Sequence, residues 1–412
     1  MLFKDIKKEF KIFNRKIFDK NLHYLDNAAT TQIPDKVLNA IIEFETKHRA
    51  NVKRGNHTLS EEATNLYEES RKIVADFIGA SVSDEVIFTN GATDSLNLVA
   101  IAWGEKNINE GDVILVTEVE HHSNFVPWLE LAKRKNAKLE IIKVSDEGKL
   151  LIDDLNIDFS KLKLVSFAHV SNVLGVVNDV KNIVKNIKNK CSKFNVTPRF
   201  VLDGAQSVSH FKVNVKSLGV DFLVFSGHKM CGPFGIGGLY INRNIFNEIG
   251  EYKYGGGMIK EVSLTNATYG KIPHKLEAGT PNISGAIGLA EACKFLSDIG
   301  LENIYNHEKK LAKYLLDELQ KLNDVIIYGP KTYENKIGLV SFNVMGIPSH
   351  DLASILDVNG VAIRSGQHCV MPWHTRQTIS TTARASVYLY NDEKDVDALI
   401  SGIKNAKDIF IV

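Results

Sequence analysis

The chain reads as an α/β protein, with a large domain on a mainly parallel sheet and a smaller C-terminal α+β domain. Three observations predict this. At 412 residues the chain exceeds the size at which a single core stops growing. Between about residues 85 and 240, apolar runs of strand length alternate with helix-length segments, as in a sheet with crossover helices. Beyond about residue 283 the alternation gives way to two long helical segments and then two strands. The expected division is an N-terminal arm over 1–27 that packs on the small domain, a large domain over 28–292 and a small domain over 293–412.

Taken in order, the opening segment Met1 to Phe10 places phenylalanine and isoleucine at helical spacing, which predicts an amphipathic helix. It has no apolar core of a secretion signal, so the cytoplasm is the expected compartment. Six strands follow at Val86–Phe88, Val113–Val116, Leu139–Val144, Leu164–Phe167, Phe200–Leu202 and Phe222–Phe225. Helical segments lie between several of them, at Ser95–Trp103, Val126–Lys135 and Val180–Lys193. An irregular stretch through Gly255-Gly-Gly257 and Glu277-Ala-Gly-Thr280-Pro281 leads to helices Ile283–Ile299 and Ile304–Leu322. Strands Val325–Tyr328 and Leu339–Phe342 come next, and no internal repeat is visible.

Charge and cysteine usage narrow the function classes. Fifty Lys and Arg against 49 Asp and Glu leave a formal net charge of +1, which gives no reason to expect nucleic acid or an anionic membrane as partner. The four cysteines are far apart, without a C-x-x-C pair, which argues against a disulfide framework or a structural zinc. No metal site is expected.

In such sheets, ligands sit beyond the carboxyl ends of the strands. Thr93, His121, Asn172, Asp203, Ser226 and Lys229 all fall there. The apolar run Phe222–Phe225 breaks into Ser226-Gly-His-Lys229, bringing an ammonium close to a buried strand. Such a lysine pairs, titrates down to an amine, or forms a covalent imine. Phe200-Val-Leu-Asp203-Gly-Ala-Gln206 ends a second buried strand in a carboxylate and an amide. Lysine and aspartate from two strand ends are what a pyridoxal phosphate enzyme needs, one for the Schiff base and one to hold the ring nitrogen protonated.

The surrounding motifs extend this reading. Asn90-Gly-Ala-Thr93-Asp-Ser95 joins a strand to a helix and reads either as an ordinary N-cap or as a phosphate site; Ser226 and His228 nearby favour phosphate. The later Gly232-x-x-Gly235-x-Gly237-Gly238 leads into a strand, so it is no dinucleotide fingerprint and lets backbone pack close under the cofactor. In Glu120-His121-His122, one histidine is placed to stack on a cofactor ring or shuttle a proton, and the residues alone do not choose which. Arg364-Ser-Gly-Gln-His368-Cys369-Val-Met-Pro372 puts a thiol in a Gly/Pro-bounded loop, where His368 and Arg364 would favour the thiolate. Cys231 reads as structural, and Cys191 and Cys293 as bystanders. Arg384 suits a bidentate grip on a carboxylate, although taken alone a surface ion pair is the commoner reading.

As a set, these motifs resemble the class V branch of fold-type I pyridoxal phosphate enzymes, and within it the second-group, SufS-like cysteine desulfurases. The resemblance runs from Tyr24-Leu-Asp-Asn-Ala-Ala29 through Lys53-Arg54-Gly-Asn-His57-Thr58, His169-Val-Ser-Asn172-Val-Leu-Gly175 and Glu277-Ala-Gly-Thr280-Pro-Asn282 to the Cys369 loop. It implies that Lys229 forms the Schiff base, Asp203 faces the pyridine nitrogen, Gln206 bonds the phenolic oxygen and His121 stacks on the ring. Thr93, Ser226 and His228 would bind the phosphate, with Thr280 reaching in from the other subunit of a homodimer. Asn172, Arg364 and Arg384 would hold L-cysteine, and Cys369 would take its sulfur as a persulfide. The sulfur would pass to an acceptor of SufE or SufU type for iron–sulfur cluster assembly.

The chain departs from the second group at Gln367 and Val370, where that group usually has histidine and alanine. Lys53 stands where histidine is common, and Ala92 where a threonine is. The rival readings are a selenocysteine lyase, another class V enzyme such as an aminotransferase, kynureninase-like hydrolase or epimerase, and a non-catalytic scaffold. Cys369 in its loop favours the desulfurase over the other class V enzymes, and the intact Lys229, Asp203 and Cys369 argue against a scaffold.

Overall fold

The computed structural model describes residues 3–53 and 55–410; Arg54 of the Lys53–Thr58 motif lies outside the described residues. Seven strands make the central sheet: β1 (Val86–Thr89), β2 (Val113–Thr117), β3 (Lys138–Ile142), β4 (Leu162–Ala168), β5 (Arg199–Asp203), β6 (Phe222–Ser226) and β7 (Gly237–Ile241). Their order is β1-β7-β6-β5-β4-β2-β3, with β7 antiparallel to both neighbours and the other pairs parallel.

The apolar runs follow from burial on both faces. Phe88, Leu115, Phe167, Phe200, Leu202 and Phe225 point into one cluster. Ile87, Ile114, Val116, Leu164, Val201 and Val224 point into the other. Residues that alternate along a strand thus reach opposite layers. Each such fully buried side chain contributes about 1.5–3 kcal/mol of transfer free energy.

Helices α1 (Asp35–Glu43), α2 (Thr58–Ile78), α3 (Ala92–Val99), α4 (Val126–Lys135), α5 (Val180–Ser192), α6 (Ile283–Ile299) and α7 (Leu301–Gln320) follow the predicted segments where these were named. The segment expected at Ser95–Trp103 is α3, which widens into a π turn over Ala100–Gly104. α2, α5 and α6 lend residues to the first cluster, whereas α3 and α4 supply the second.

β7 explains the glycine run. Gly237 pairs with both Thr89 and Ser226, so it lies between the strand ends that carry the two loops of greatest interest. A Cβ there would stand 2.4 Å from the Phe225 carbonyl oxygen and 2.6 Å from the Gly91 Cα, so only glycine lets these backbones meet.

A second, antiparallel sheet has the order β10-β11-β13-β12, built from β10 (Val325–Tyr328), β11 (Leu339–Val344), β12 (Arg364–Gly366) and β13 (Thr382–Ser386). The labels β8 (Ile259–Val262) and β9 (Ala267–Tyr269) belong to an exposed hairpin. α8 (Ser349–Val358), α9 (Met371–Arg376) and α10 (Glu393–Phe410) complete the described helices of this part. His23 and Tyr24 pair in parallel with Val361 and Ala362, and Lys7 and His23 both contact the buried Asp395 carboxylate.

The opening segment corrects one expectation. It is no continuous amphipathic helix but a short turn of helix at Phe3–Ile6 followed by 3-10 turns at Lys7–Glu9 and Lys11–Asn14. Phe10 breaks the run in extended conformation and wedges edge-on against Phe295 and Tyr390, which repays the lost helical hydrogen bonds.

Candidate active site

A cavity of about 220 Å³ opens at the carboxyl ends of β2, β4, β5 and β6, where the second sheet closes over the first. It brings together Thr93, His121, Asn172, Asp203, Gln206, Ser226, His228, Lys229, Arg364, Cys369 and Arg384. Thr280 alone of the expected residues lies elsewhere. It is exposed, on a separate cavity shared with Asn90, Asp94 and Tyr252.

One end of the cavity is built for an anion. β1 turns into α3 through Gly91, at φ 142°. The Ala92 N–H donates to the Ser226 Oγ at 2.8 Å, joining the α3 start to the β6 end. The Thr93 hydroxyl lies 2.7 Å from Ser123 Oγ. The buried Nδ1 of His228 has no partner among the described residues, and burial followed by the Lys229 charge lowers its pKa to about 4.

Lys229 sits on a one-turn 3-10 segment, Gly227–Lys229, that the chain's own hydroxyls pin in place. The His228 carbonyl accepts from the Thr30 hydroxyl and from the Thr31 N–H, both at 2.9 Å, and the Cys231 N–H donates to the Thr31 hydroxyl at 2.8 Å. Burial lowers the Lys229 pKa to about 8, a shift that Asp203 partly offsets. Asp203 accepts the Ala205 N–H at 2.9 Å, and burial raises its carboxyl despite that bond and the nearby Lys229. The Gln206 amide donates to the Ala28 carbonyl at 2.6 Å, which orients the side chain along the cavity wall.

His121 accepts the Ser123 N–H on Nδ1 at 3.1 Å. The neutral ring therefore carries its proton on Nε2. Burial first and the Lys229 charge second lower the His121 pKa to about 3, so it is neutral at pH 7. The buried Glu120 carboxyl, whose pKa burial raises to about 8, receives the Thr117 hydroxyl at 2.5 Å, the Asn124 amide at 2.6 Å and the Ala168 N–H at 3.1 Å. These bonds tie the histidine loop to β2 and β4.

The Cys369 loop arrives from the second sheet with His368 at φ 51° and Cys369 at φ 58°, a left-handed pair without glycine. The Asn172 amide donates to the His368 carbonyl at 2.8 Å. Cys369 is partly exposed, whereas Cys191, Cys231 and Cys293 are buried. His368 does not supply the positive charge expected of it. Its ring is buried, Nε2 meets the Thr382 hydroxyl at 2.8 Å, and burial followed by the Arg384 charge lowers its pKa to about 2. The cations at this end of the cavity are Lys229, Arg364 and Arg384.

Arg384 is no surface ion pair. It is 2% exposed, donating from Nη1 to the Asn172 carbonyl at 2.9 Å and from Nη2 to Asp26 at 3.1 Å. Its buried Nε has no partner among the described residues. Sequence reasoning missed Asp26 and Ser123 in these roles. Only the proximity of Ser123 to His121 gave a signal.

Pyridoxal phosphate fits these residues. The cavity pairs a lysine whose amine is accessible near neutral pH with a carboxylate on the adjacent strand. Its orphaned buried nitrogens among the described residues include His228 Nδ1 and Arg384 Nε, both suited to anionic oxygens. Among the described residues, no group of three His, Cys, Asp or Glu could hold a metal ion. No described helix is long and apolar enough to cross a membrane.

Comparison with known proteins identifies the family. The family model described as aminotransferase class-V matches residues 23–399. The chain is 43% identical over 407 residues to a probable cysteine desulfurase of Halalkalibacterium halodurans, covering 98% of each. It is 44% identical over 397 residues to a cysteine desulfurase of Haloferax volcanii, covering 94% of this chain and 90% of the other. The apo structure of a cysteine desulfurase from Thermococcus onnurineus NA1 superposes with a TM-score of 0.91 at 43% identity, over 97% of each chain. The chain belongs to the class-V aminotransferase family and, within it, to the cysteine desulfurases.

Proposed function

We propose that this chain, with pyridoxal phosphate on Lys229, converts L-cysteine to L-alanine and keeps the sulfur as a persulfide on Cys369. One observation carries the reading: Cys369, in the loop after β12 of the second sheet, lines the same cavity as Asp203, at the end of β5, and Lys229, just past β6. An aminotransferase has no use for a thiol held there.

The residues divide the work. Lys229 would hold the cofactor, with Asp203 for its ring nitrogen, Gln206 for its phenolic oxygen and His121 for the face of its ring. Thr93, Ser226, His228 and the free N–H groups at the α3 start hold the phosphate. When bound, pyridoxal phosphate supplies an electron sink for charge developing on the substrate. Arg384 grips the substrate carboxylate through its unpartnered edge, with Arg364 at the entrance and Asn172 beside them. Lys229 as a free amine removes the proton from the substrate Cα. The Cys369 thiolate attacks the substrate sulfur and forms the S–S bond. The Cβ–S bond breaks, its electron pair stays with the substrate carbon, His121 Nε2 relays the substrate thiol's proton to Cβ, and Lys229 returns the Cα proton, which completes alanine.

In this reading the small domain over 293–412 delivers the Cys369 loop, and the working unit is a homodimer. Thr280, exposed and remote from its own chain's cavity, serves the phosphate of the neighbouring subunit. The persulfide passes to an acceptor of SufE or SufU type for iron–sulfur cluster assembly, in the cytoplasm. The test is to measure alanine and sulfide from L-cysteine with a thiol reductant, alone and with each acceptor, with L-selenocysteine in parallel. Equimolar alanine and sulfide, stimulated by an acceptor and lost in Cys369→Ala, supports the reading. Alanine formation that survives Cys369→Ala contradicts it.

A further inference from the structure

The two adjacent histidines face different partners. His121 lines the cofactor cavity, whereas His122 lines an outer groove with Ile101, Val126 and Glu130. Their ring centroids are 6.4 Å apart and tilted by 49°, so His122 does not continue the stack. Instead it meets the Cys369 loop twice. Its backbone N–H donates to the Cys369 carbonyl at 2.8 Å. Its Nε2 accepts the Met371 N–H at 3.1 Å.

The second bond fills a specific gap. Met371 opens α9, and the residue before it, Val370, offers no side-chain cap. The first N–H groups of a helix lack partners within it. His122 supplies one from a segment 249 residues away in sequence. A backbone N–H can only donate, so Nε2 is the accepting nitrogen and the neutral ring holds its proton on Nδ1. Burial lowers the pKa of His122, which keeps the ring in its accepting form near neutrality.

The loop needs such restraint. Residues without glycine's freedom hold left-handed φ only where their surroundings over-determine them, and here two stand in a row, His368 and Cys369. Asn172 holds the first carbonyl and the His122 backbone the second; the His122 ring holds the N–H two residues on.

We propose that His122 is a positioning residue for sulfur transfer: its imidazole latches the Cys369 loop so that the thiol faces the substrate sulfur. The inference rests on the desulfurase reading, and His122 acts through the loop rather than on the cofactor.

The test uses the holoenzyme and two variants. His122→Phe keeps an aromatic ring without an acceptor, and His122→Gln places an amide oxygen near the position of Nε2. Cys369 alkylation by iodoacetamide, read by mass on its own peptide, reports loop restraint without turnover. The other three cysteines are buried and give an internal reference. His122→Phe should be alkylated several-fold faster. Its kcat for alanine formation should fall about tenfold, the effect of losing one well-made hydrogen bond, with KM and cofactor absorbance little changed. His122→Gln should recover most of both losses.

Wild-type alkylation and kcat in His122→Phe would overturn the proposal. So would a His122→Gln variant as impaired as His122→Phe, or cofactor loss in step with activity, since either points to ring packing alone. If the wild type makes no alanine, the desulfurase reading fails, while the alkylation rates still decide the latch.

Discussion

Arg364 and Arg384 are cross-strand partners, directly opposite each other on β12 and β13, and both line the cofactor cavity. Like charges facing each other across a ladder oppose folding. Asp26 neutralises one edge of Arg384, and its buried Nε has no partner among the described residues, which leaves the pair as a receptor for a substrate carboxylate.

Arg384→Lys should therefore raise KM for L-cysteine about 10- to 100-fold, the loss expected for charge-assisted hydrogen bonds, while the cofactor absorbance stays. Steady-state kinetics with a cofactor spectrum checks this. An unchanged KM would remove Arg384 from the substrate.

Lys229 gives a pH dependence. Its pKa, lowered to about 8 by burial, leaves roughly a tenth of the amine free at pH 7, against less than a thousandth for an ordinary lysine. The free amine is the form that captures the cofactor, so uptake of pyridoxal phosphate by apoprotein should quicken as pH rises, with a midpoint near 8. Stopped-flow absorbance measures it. A midpoint above 10 would mean that the cavity does not activate this lysine.

Glu277 ties α2 to β1. It takes a bidentate pair from the buried Arg71, at 2.5 and 2.9 Å, the Tyr67 hydroxyl at 3.1 Å and the Phe88 N–H at 2.9 Å. Burial pushes its carboxyl up, but the Arg71 guanidinium outweighs this and holds the pKa below the usual value. A depressed folded pKa contributes stability above the unfolded value, about 4.5, and that contribution is lost as pH falls through the folded value. Glu277→Ala strands a buried guanidinium and should cost about 3–5 kcal/mol in urea unfolding at pH 7. The difference between wild type and variant should shrink in acid; a constant difference down to pH 3 would contradict the assignment.

The fold was legible wherever burial wrote itself into composition. The wholly apolar runs at Val113–Val116 and Phe222–Phe225 became β2 and β6, because strands covered on both faces admit nothing else. The site was legible where residues end such strands, as Asp203 and Lys229 do. It was less so where function depends on segments that meet only in the folded chain. His122 and Met371 show no relation in sequence. His368 is buried where its ring meets Thr382 of β13, and Arg384 on the same strand is buried rather than a surface cation; neither enclosure is written in the local sequence. The opening segment has helical spacing, yet Phe10 gains more from packing on Phe295 and Tyr390 than from continuing a helix.

The most direct test of the central claim is the mass of the Cys369 peptide. The purified holoenzyme is mixed with L-cysteine in the absence of reductant, quenched by alkylation within one turnover, and digested. The account predicts that the Cys369 peptide gains one sulfur atom, reversible by reductant, in proportion to the alanine formed. Alanine accumulating while Cys369 carries no added sulfur, or sulfur appearing on Cys231 instead, would contradict it.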